Sequence, residues 1–574
     1  MAFDSFRDFV NALDQAGELK RISQPVATEL EITEFADREM KSLAVDKTLK
    51  SVIGILAFFL MTFGIISSVL ADYPVIYQRY AADPSGLEYN GRLYVYCSND
   101  DDNDRTNYLM HSITCFSTDD LKNWTDHGVV FDAKINTSWA GYAWAPSVIT
   151  NNGLFYMYFG NGAGSIGVVT CSVPTGPFVD AKGSALINSS TPGASTANQW
   201  YFDPCVFVDS DGQRYLYFGG NSSTNSRVIL LGANMTSTIG SAMPMWTTNF
   251  FEASYMHKRN GIYYYTYSSQ PASTILCDTN SNPTNGFVHL GTVLNAPVNF
   301  FNNNQSSFFS YAGNWYCAYH NRYLSNLRGI PTGVERSLCL DAANFNANGT
   351  MQPVVCSTNG LTQLKYLNPY SRVEAETMAQ ENGIQTETCS EGGLDVGYIT
   401  NNCWTKLKGV DFGSGGSTFY ARVASAVSGG SLELHLDSLT GTLVGTCTVT
   451  PTGGWQTWTT AACSLHGAVG VHDLYLKFVG GGGYLFNVNW WQMQQGNPLQ
   501  ILAANFNRSN SSLILIWNST PPAAATNYSI QKKSSLSNSI WLTAKTSISS
   551  GGITTTNADS AAIGNAAFYR VSSP

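Results

Sequence analysis

The 574-residue chain is short of charge. Lys, Arg, Asp and Glu together make 12% of it, the net charge is −9, and no long basic run occurs. Nucleic acid and anionic membrane are recognised by clustered Lys and Arg, so both are poor partners. The twelve cysteines form no Cys-x-x-Cys, and no Cys/His cluster has zinc spacing, so no zinc motif is present. What is abundant argues against disorder: 13% of residues are aromatic and 52 are glycine. That composition suits β-strands joined by many turns, and the length suits three or four domains. Thirty tyrosines and thirteen tryptophans suit the flat apolar faces of sugars, and equally suit plain aromatic strands.

Long apolar runs are also scarce, which makes VIGILAFFLMTFGIISSVLA at 52–71 stand out. Lys41, Lys47 and Lys50 precede it, and SSVLA followed by Asp72 closes it. Positive region, apolar region and small-residue cleavage site are the layout of a secretory signal. An uncleaved anchor is the alternative, since a spanning helix needs about 20 apolar residues. The signal reading puts the original start at Met40 and makes the mature chain extracellular or periplasmic. It also makes cysteine pairing relevant. Cys389 with Cys403, and Cys447 with Cys463, are near enough in sequence to be candidates, but spacing does not decide connectivity. The preceding stretch, MAFDSFRDFVNALDQAGELKRISQPVATELEITEFADREMKS at 1–42, resembles the amino terminus of prenylated-flavin-dependent decarboxylases of ubiquinone biosynthesis. Nothing after it continues that family, so it reads as a foreign head without catalytic apparatus.

Beyond the signal, one pattern recurs five times: NGRLYVY at 90–96, NGLFYMYF at 152–159, DGQRYLYF at 211–218, NGIYYYTY at 260–267 and AGNWYCAY at 312–319. A turn glycine, then aromatics at period two, is a hairpin signature. Repeats of 49 to 62 residues in an all-β chain indicate propeller blades, here five. Eight or nine places before each glycine stand Asp83, Trp144, Asp203, Glu252 and Gln305. These positions belong to the preceding strand, the one nearest a propeller axis. A single acid there could serve a structural ion pair; three carboxylates converging on one axial pocket suit glycoside hydrolysis. One would protonate the leaving oxygen and another activate water.

The motifs ADP at 82–84, WAP at 144–146, FDPCVFVDSDG at 202–212 and EASYMHKRNGIYY at 252–264 together resemble glycoside hydrolase family 43 over about 75–365. The resemblance implies a five-bladed propeller that inverts configuration without a catalytic cofactor. It implies Asp83 as general base, Glu252 as general acid, and Asp203 as the residue that tunes the acid's pKa. Trp144, Gln305 and Arg336 are then substrate-binding candidates, and Trp200 and Tyr201 stand beside motif positions. Where the family pattern carries a histidine near the fifth inner strand, this chain reads NNNQSS, with Gln305 (or Asn304 or Ser306) in its place. An amide carries no proton, so weaker or altered activity is expected, and a degenerate sugar-binding propeller is an alternative.

From 371 the composition changes. RVEAETMAQENGIQTETCSEGG, VDFGSGG and TGTLVGTCTVTPTGGWQTWTT resemble a family 6 carbohydrate-binding module, a β-sandwich, over about 371–495. The resemblance implies Tyr398 or Trp404 as one sugar-clamping wall, Trp455 as the other, and Asn487 as a hydroxyl partner; Trp455 and Trp458 as core residues is the alternative. Glu374 and Glu376 match the region holding a structural calcium in that family. The Ser/Thr/Asn/Ala-rich segment 498–574 reads as short strands of a fibronectin-type-III-like sandwich. The organisation expected is therefore a head at 1–42, a signal at 43–71, a propeller at 72–365, a binding module at 371–495 and a small sandwich at 498–574. The function expected is a monomeric, secreted exo-hydrolase. It would remove α-L-arabinofuranosyl groups from arabinoxylan in the plant cell wall, with β-xylosidase the nearest competitor and no membrane partner once the signal is cleaved.

Overall fold

In the computed structural model, residues 74–574 are described except 296–302, 331–332, 358–359, 497–500, 508, 510–511, 519–526, 534–540, 550–553, 561–567 and 573–574. The expected head and signal lie outside the described residues. Those described are almost wholly β.

Five antiparallel sheets follow one another along the chain. Their first strands are Ala81–Tyr89, Trp144–Asn151, Cys205–Val208, Phe250–Arg259 and Ser306–Tyr311. The first four sheets have four strands in chain order, the first gaining one more at its outer edge, and the fifth has three. Each first strand turns into the second through one of the five expected glycines, which have φ between 74° and 86°. In four of these turns the preceding residue, Asn90, Asn152, Asn260 or Ala312, is also left-handed. Two successive positive φ values make the hairpin turn whose twist matches paired strands.

Aromatic side chains pack the sheets against one another. Tyr96, Phe155 and Phe159 fill the space between the first and second sheets, Tyr158, Leu216 and Ile229 that between the second and third. Tyr217, Tyr265 and Tyr267 sit between the third and fourth, Tyr264, Phe308 and Tyr319 between the fourth and fifth. Val95, Phe309 and Leu340 join the fifth sheet to the first. Each such side chain contributes ~1.5–3 kcal/mol of burial. The first strands touch in the same order, and that of the fifth sheet meets that of the first.

Two further layers follow. One sheet holds Gln385–Thr388, Leu394–Gly397, Asn487–Gln495, Gly416–Ala424 and Thr459–Ser464; the other holds Gln380–Asn382, Trp404–Asp411, Val471–Val479, Gly430–Leu436 and Leu443–Val449. Leu407, Phe419, Leu432, Leu474 and Trp491 are buried in their common core. Beyond 500, two three-stranded sheets share a core that includes Trp517, Tyr528 and Ile530.

The sandwich is stitched to the first of the five sheets. Its short strand Thr377–Met378 pairs with the outer strand Trp124–Asp132. Beside that seam the Asp126 carboxylate is fully buried. It accepts from Arg79 Nε at 2.9 Å and from Thr386 Oγ1 at 2.9 Å. Arg79 in turn donates to Thr386 Oγ1 at 2.9 Å. Removing one partner of a buried ion pair strands the other charge. Asp126→Ala should therefore cost ~3–5 kcal/mol of stability, read by urea denaturation. Hydrolysis of a small chromogenic substrate should persist below the transition.

Candidate active site

Three of the five first strands, and the residues just before a fourth, carry a left-handed backbone position. Asp83, Ala145, Asp203 and Ala253 have φ of 51°, 46°, 46° and 61°. The ladder slips between Ala82 and Ser85, between Trp144 and Ser147, and between Glu252 and Tyr255. Pro84, Pro146 and Pro204 follow three of the left-handed residues and lack the N–H that a regular ladder would require. A non-glycine residue held there stores ~1–3 kcal/mol of strain, which the surrounding sheets must hold in place.

These bulges border one cavity of ≈ 430 Å³. Asp83, Asp203, Glu252, Trp144, Gln305 and Arg336 all line it, so the candidates from all five repeats converge, together with the arginine. Trp200 lines it as well, while Tyr201 is not among the lining residues. Asp83 accepts Arg336 Nη1 at 2.6 Å and the Ser98 hydroxyl at 2.8 Å. Arg336, 1% exposed, is gripped by Asp100 through Nε at 2.7 Å and Nη2 at 2.8 Å. Its own backbone N–H also donates to Asp100, at 2.8 Å. The Tyr108 ring lies 5.2 Å from the guanidinium carbon. On the other side, Asp203 accepts the Ala253 N–H at 2.9 Å, so the backbone next to Glu252 is tied to Asp203. Asp83 and Asp203 are buried and Glu252 is half-buried, and among the described residues only Asp83 is paired to a cation; such a set can both donate and accept protons around a bound sugar.

Comparison with known proteins agrees. Residues 71–351 match the model of glycosyl hydrolases family 43, and 374–495 that of the family 6 carbohydrate binding module. An arabinoxylan arabinofuranohydrolase of Bacillus subtilis (strain 168) is 39% identical over 477 residues, 74% of this chain and 92% of the relative. The chain belongs to glycoside hydrolase family 43. A protein of the same name from Paenibacillus polymyxa is 39% identical over 470 residues, 73% of this chain and 74% of its own. A crystal structure of the family 43 arabinoxylan arabinofuranohydrolase from Bacillus subtilis, in complex with cellotetraose, superimposes with a TM-score of 0.70 at 37% identity, covering 75% of this chain and 98% of that one. Residues 10–53 match the 3-octaprenyl-4-hydroxybenzoate carboxy-lyase N-terminal domain, consistent with the resemblance of the head.

The electrostatics of this family 43 site divide its carboxyls. Burial, reinforced by the Asp83 charge, pushes Asp203 up to about 8. Burial and the charges of Asp203 and Asp83 push Glu252 well above the ordinary glutamate value. Two neighbouring carboxyls in low dielectric do not both ionise, so the Asp203–Glu252 pair retains a proton near neutrality.

Gln305 lines the cavity, and a histidine that the expectation did not include reaches the site from elsewhere. His320 enters from the next strand, Asn314–Asn321, fully buried. Its Nδ1 accepts the backbone N–H of Asp83 at 3.0 Å, which assigns the ring proton to Nε2, 3.4 Å from the Asn303 carbonyl. Burial, with Arg336 nearby, holds His320 down at about 3, so it positions Asp83 as a neutral ring. The repeat pattern singled out first strands and could not reveal a second-strand residue. Ser98, Asp100, Tyr108 and Asn303 escaped for the same reason: none occupies a repeated position.

In the module of this enzyme, Tyr398 and Trp455 both stand edge-on to Tyr484, at 5.7 and 6.4 Å. Tyr398 is 42% exposed, whereas Trp404 is buried against Tyr475, so Trp404 is corrected to a core residue. Asn487 donates to Glu387 at 2.6 Å and to the Trp455 carbonyl at 3.3 Å, holding the Trp455 segment in place. Trp458 donates from its indole to Ser390 Oγ at 3.0 Å. Glu374 is turned to Arg372 at 2.9 Å, while Glu376 is buried with Oε2 unpartnered. Among the described residues no three His, Cys, Asp or Glu side chains gather as a metal cluster. All twelve cysteines are free thiols.

Folded, Asp203 keeps its proton up to about 8; an ordinary aspartate loses it near 3.8. The folded state therefore binds more protons across that window, and stability falls as pH rises through it. An asparagine side chain in its place keeps an acceptor for the Ala253 N–H without the titration. Thermal melts should show Asp203→Asn gaining stability over the parent at pH 8, with the gap narrowing towards pH 5.

Proposed function

We propose that this glycoside hydrolase is a secreted, exo-acting, inverting enzyme that removes α-L-arabinofuranosyl side groups from arabinoxylan or a related hemicellulose. The observation that carries the proposal is the convergence of Asp83, Asp203 and Glu252 in one cavity. The charged environments around them differ. The two arabinoxylan arabinofuranohydrolases that are 39% identical supply the substrate class. The cyclic contact of the five first strands supports a closed five-bladed propeller around that cavity.

In this mechanism Asp83, oriented by Arg336, takes a proton from the attacking water. Glu252, protonated because burial and its carboxylate neighbours disfavour its charge, gives its proton to the leaving oxygen. Asp203 holds the Ala253 backbone and keeps the acid's proton affinity high. Trp144 and Trp200 flank the sugar, and Gln305 offers it an amide. Water attacking from the face opposite the leaving group inverts the anomeric centre. The module, with Tyr398 and Trp455 as its aromatic faces, keeps the enzyme on the polysaccharide. A structural calcium, which the module's resemblance implies at Glu374 and Glu376, would draw on the unpartnered buried Glu376 Oε2 and take no part in hydrolysis.

β-Xylosidase is the competing activity: a protein named xylosidase/arabinosidase 43A from Humicola insolens is 28% identical over 312 residues. Chromogenic arabinofuranoside and xyloside assays run side by side should favour the arabinofuranoside, and wheat arabinoxylan should release arabinose. Asp83→Asn and Glu252→Gln should each lower kcat/KM by ~10²–10⁴. Rates unchanged in both would remove the assigned roles. Proton NMR of the first product should show the β-anomer. For export, mass measurement of the secreted chain should place its amino terminus at Asp72; retention of 52–71 would mean an anchor.

A further inference from the structure

The two candidate cysteine pairs fare differently in the fold. Cys403 Sγ lies 3.2 Å from the Gly383 carbonyl and 3.1 Å from Thr400 Oγ1. Cys389 sits in the separate turn closed by Gly392 and Gly393, so these two thiols serve different local structures.

Cys447 and Cys463 lie on facing edges of the sandwich. Cys447 is in Leu443–Val449, the last strand of one sheet, and Cys463 in Thr459–Ser464, the last strand of the other. The two edge strands approach each other where the His466 N–H donates to the Val444 carbonyl at 2.8 Å. In an antiparallel approach, three residues on from Val444 and three back from His466 bring Cys447 opposite Cys463. Two independent contacts agree with that register. Cys463 is paired with Phe419 in its own sheet, and Cys447 Sγ lies 3.9 Å from the Phe419 carbonyl. Each of the two thiols shifts the ionisation of the other, as close neighbours do. Cys447 is buried and Cys463 half-exposed, so a solvent-borne reagent reaches one sulfur first.

The chain between them forms a loop over 450–458 that carries Trp455 and Gln456. Gln456 donates to Asp395 at 2.8 Å and accepts the Ser390 N–H at 2.7 Å. The aromatic face of the module therefore hangs on a connection whose two ends are the two cysteines.

We propose that Cys447 and Cys463 are a disulfide-forming pair, whose bond staples the two sheets at their open edge and pins the loop bearing Trp455. The proposal rests on the export reading for its cellular setting, but its chemistry is testable on purified protein. The co-reactant is a small or protein disulfide, R–S–S–R. The Cys463 thiolate attacks one of its sulfurs and releases one RSH. The Cys447 thiolate then attacks the mixed disulfide at Cys463 and releases the second RSH. Two thiols are oxidised, one disulfide is reduced, and both protons leave on the RSH products. Closing a loop of this size restricts the unfolded chain, so the staple stabilises the module.

The test treats the full chain with oxidised glutathione or with dithiothreitol, then maps peptides without reduction. Oxidation should remove two of the twelve alkylatable thiols and yield one linked peptide containing Cys447 and Cys463. The melting temperature of the module should rise on oxidation by on the order of 5 °C. Retention on an insoluble xylan gel should strengthen in parallel. Cys447→Ser and Cys463→Ser should each abolish the oxidation-dependent change, while Cys389→Ser should keep it. Twelve thiols persisting after oxidation, or a link between other cysteines, would overturn the pairing. A linked peptide with no change in melting or retention would overturn the staple. Arabinoside hydrolysis, measured on a small soluble substrate, should be indifferent throughout, which separates failure here from failure of the hydrolase reading.

Discussion

The buried guanidinium of Arg336 is the interaction on which the site depends. It holds Asp100 through two side-chain bonds and Asp83 through a third, all at 2.6–2.8 Å. A charge so far from water is tolerated only when its donors are occupied and opposite charge is adjacent. Asp100 supplies the neutralising grip, which leaves one nitrogen to orient Asp83. Asp203 and Glu252, in the same cavity, have no cation bonded to them among the described residues, and burial favours their protonated forms. One cation bonded to one of the three carboxyls makes their surroundings unequal.

The backbone does the rest of the positioning. A regular strand would point Asp83, Asp203 and Glu252 according to its own pleat. Left-handed residues at or next to each of them re-aim the chain where their strands begin, with a bulge in the strands of Asp83 and Glu252. Such conformations persist because tightly packed aromatic layers fix the strands on either side. The Ala253 N–H, freed from the regular ladder, is taken up by Asp203. Strain, hydrogen bonding and proton affinity are thus parts of one local arrangement.

The same logic extends outward to the sandwich. Its short strand completes the edge of the first sheet, and Asp126 and Arg79 close the seam beneath. Sheet edges invite pairing, and here the exposed outer edge is covered by a neighbouring domain of the same chain. The module's aromatic face is built on loops, with Asn487, Glu387 and Gln456 holding those loops to the sheets.

Much of this was legible in the residues. Asn-Gly and Asp-Gly before alternating aromatics are local hairpin chemistry, so the five turns and the strands around them follow from short-range rules. The spacing of Asp83, Asp203 and Glu252 from those turns then located the acids. His320, Asp100 and Asn303 were not legible, because they reach the site from second strands and connections whose place in three dimensions has no sequence period. Trp404 was misjudged because an aromatic residue beside a motif looks the same whether it faces sugar or core. The β-repeats, the family and the principal carboxyls could be read from residues alone, since these depend on local turn geometry and side-chain type. Which carboxyl is paired to Arg336, which histidine steadies Asp83 and which cysteines meet were settled by the fold. Those depend on distances between segments that the chain brings together only when it folds.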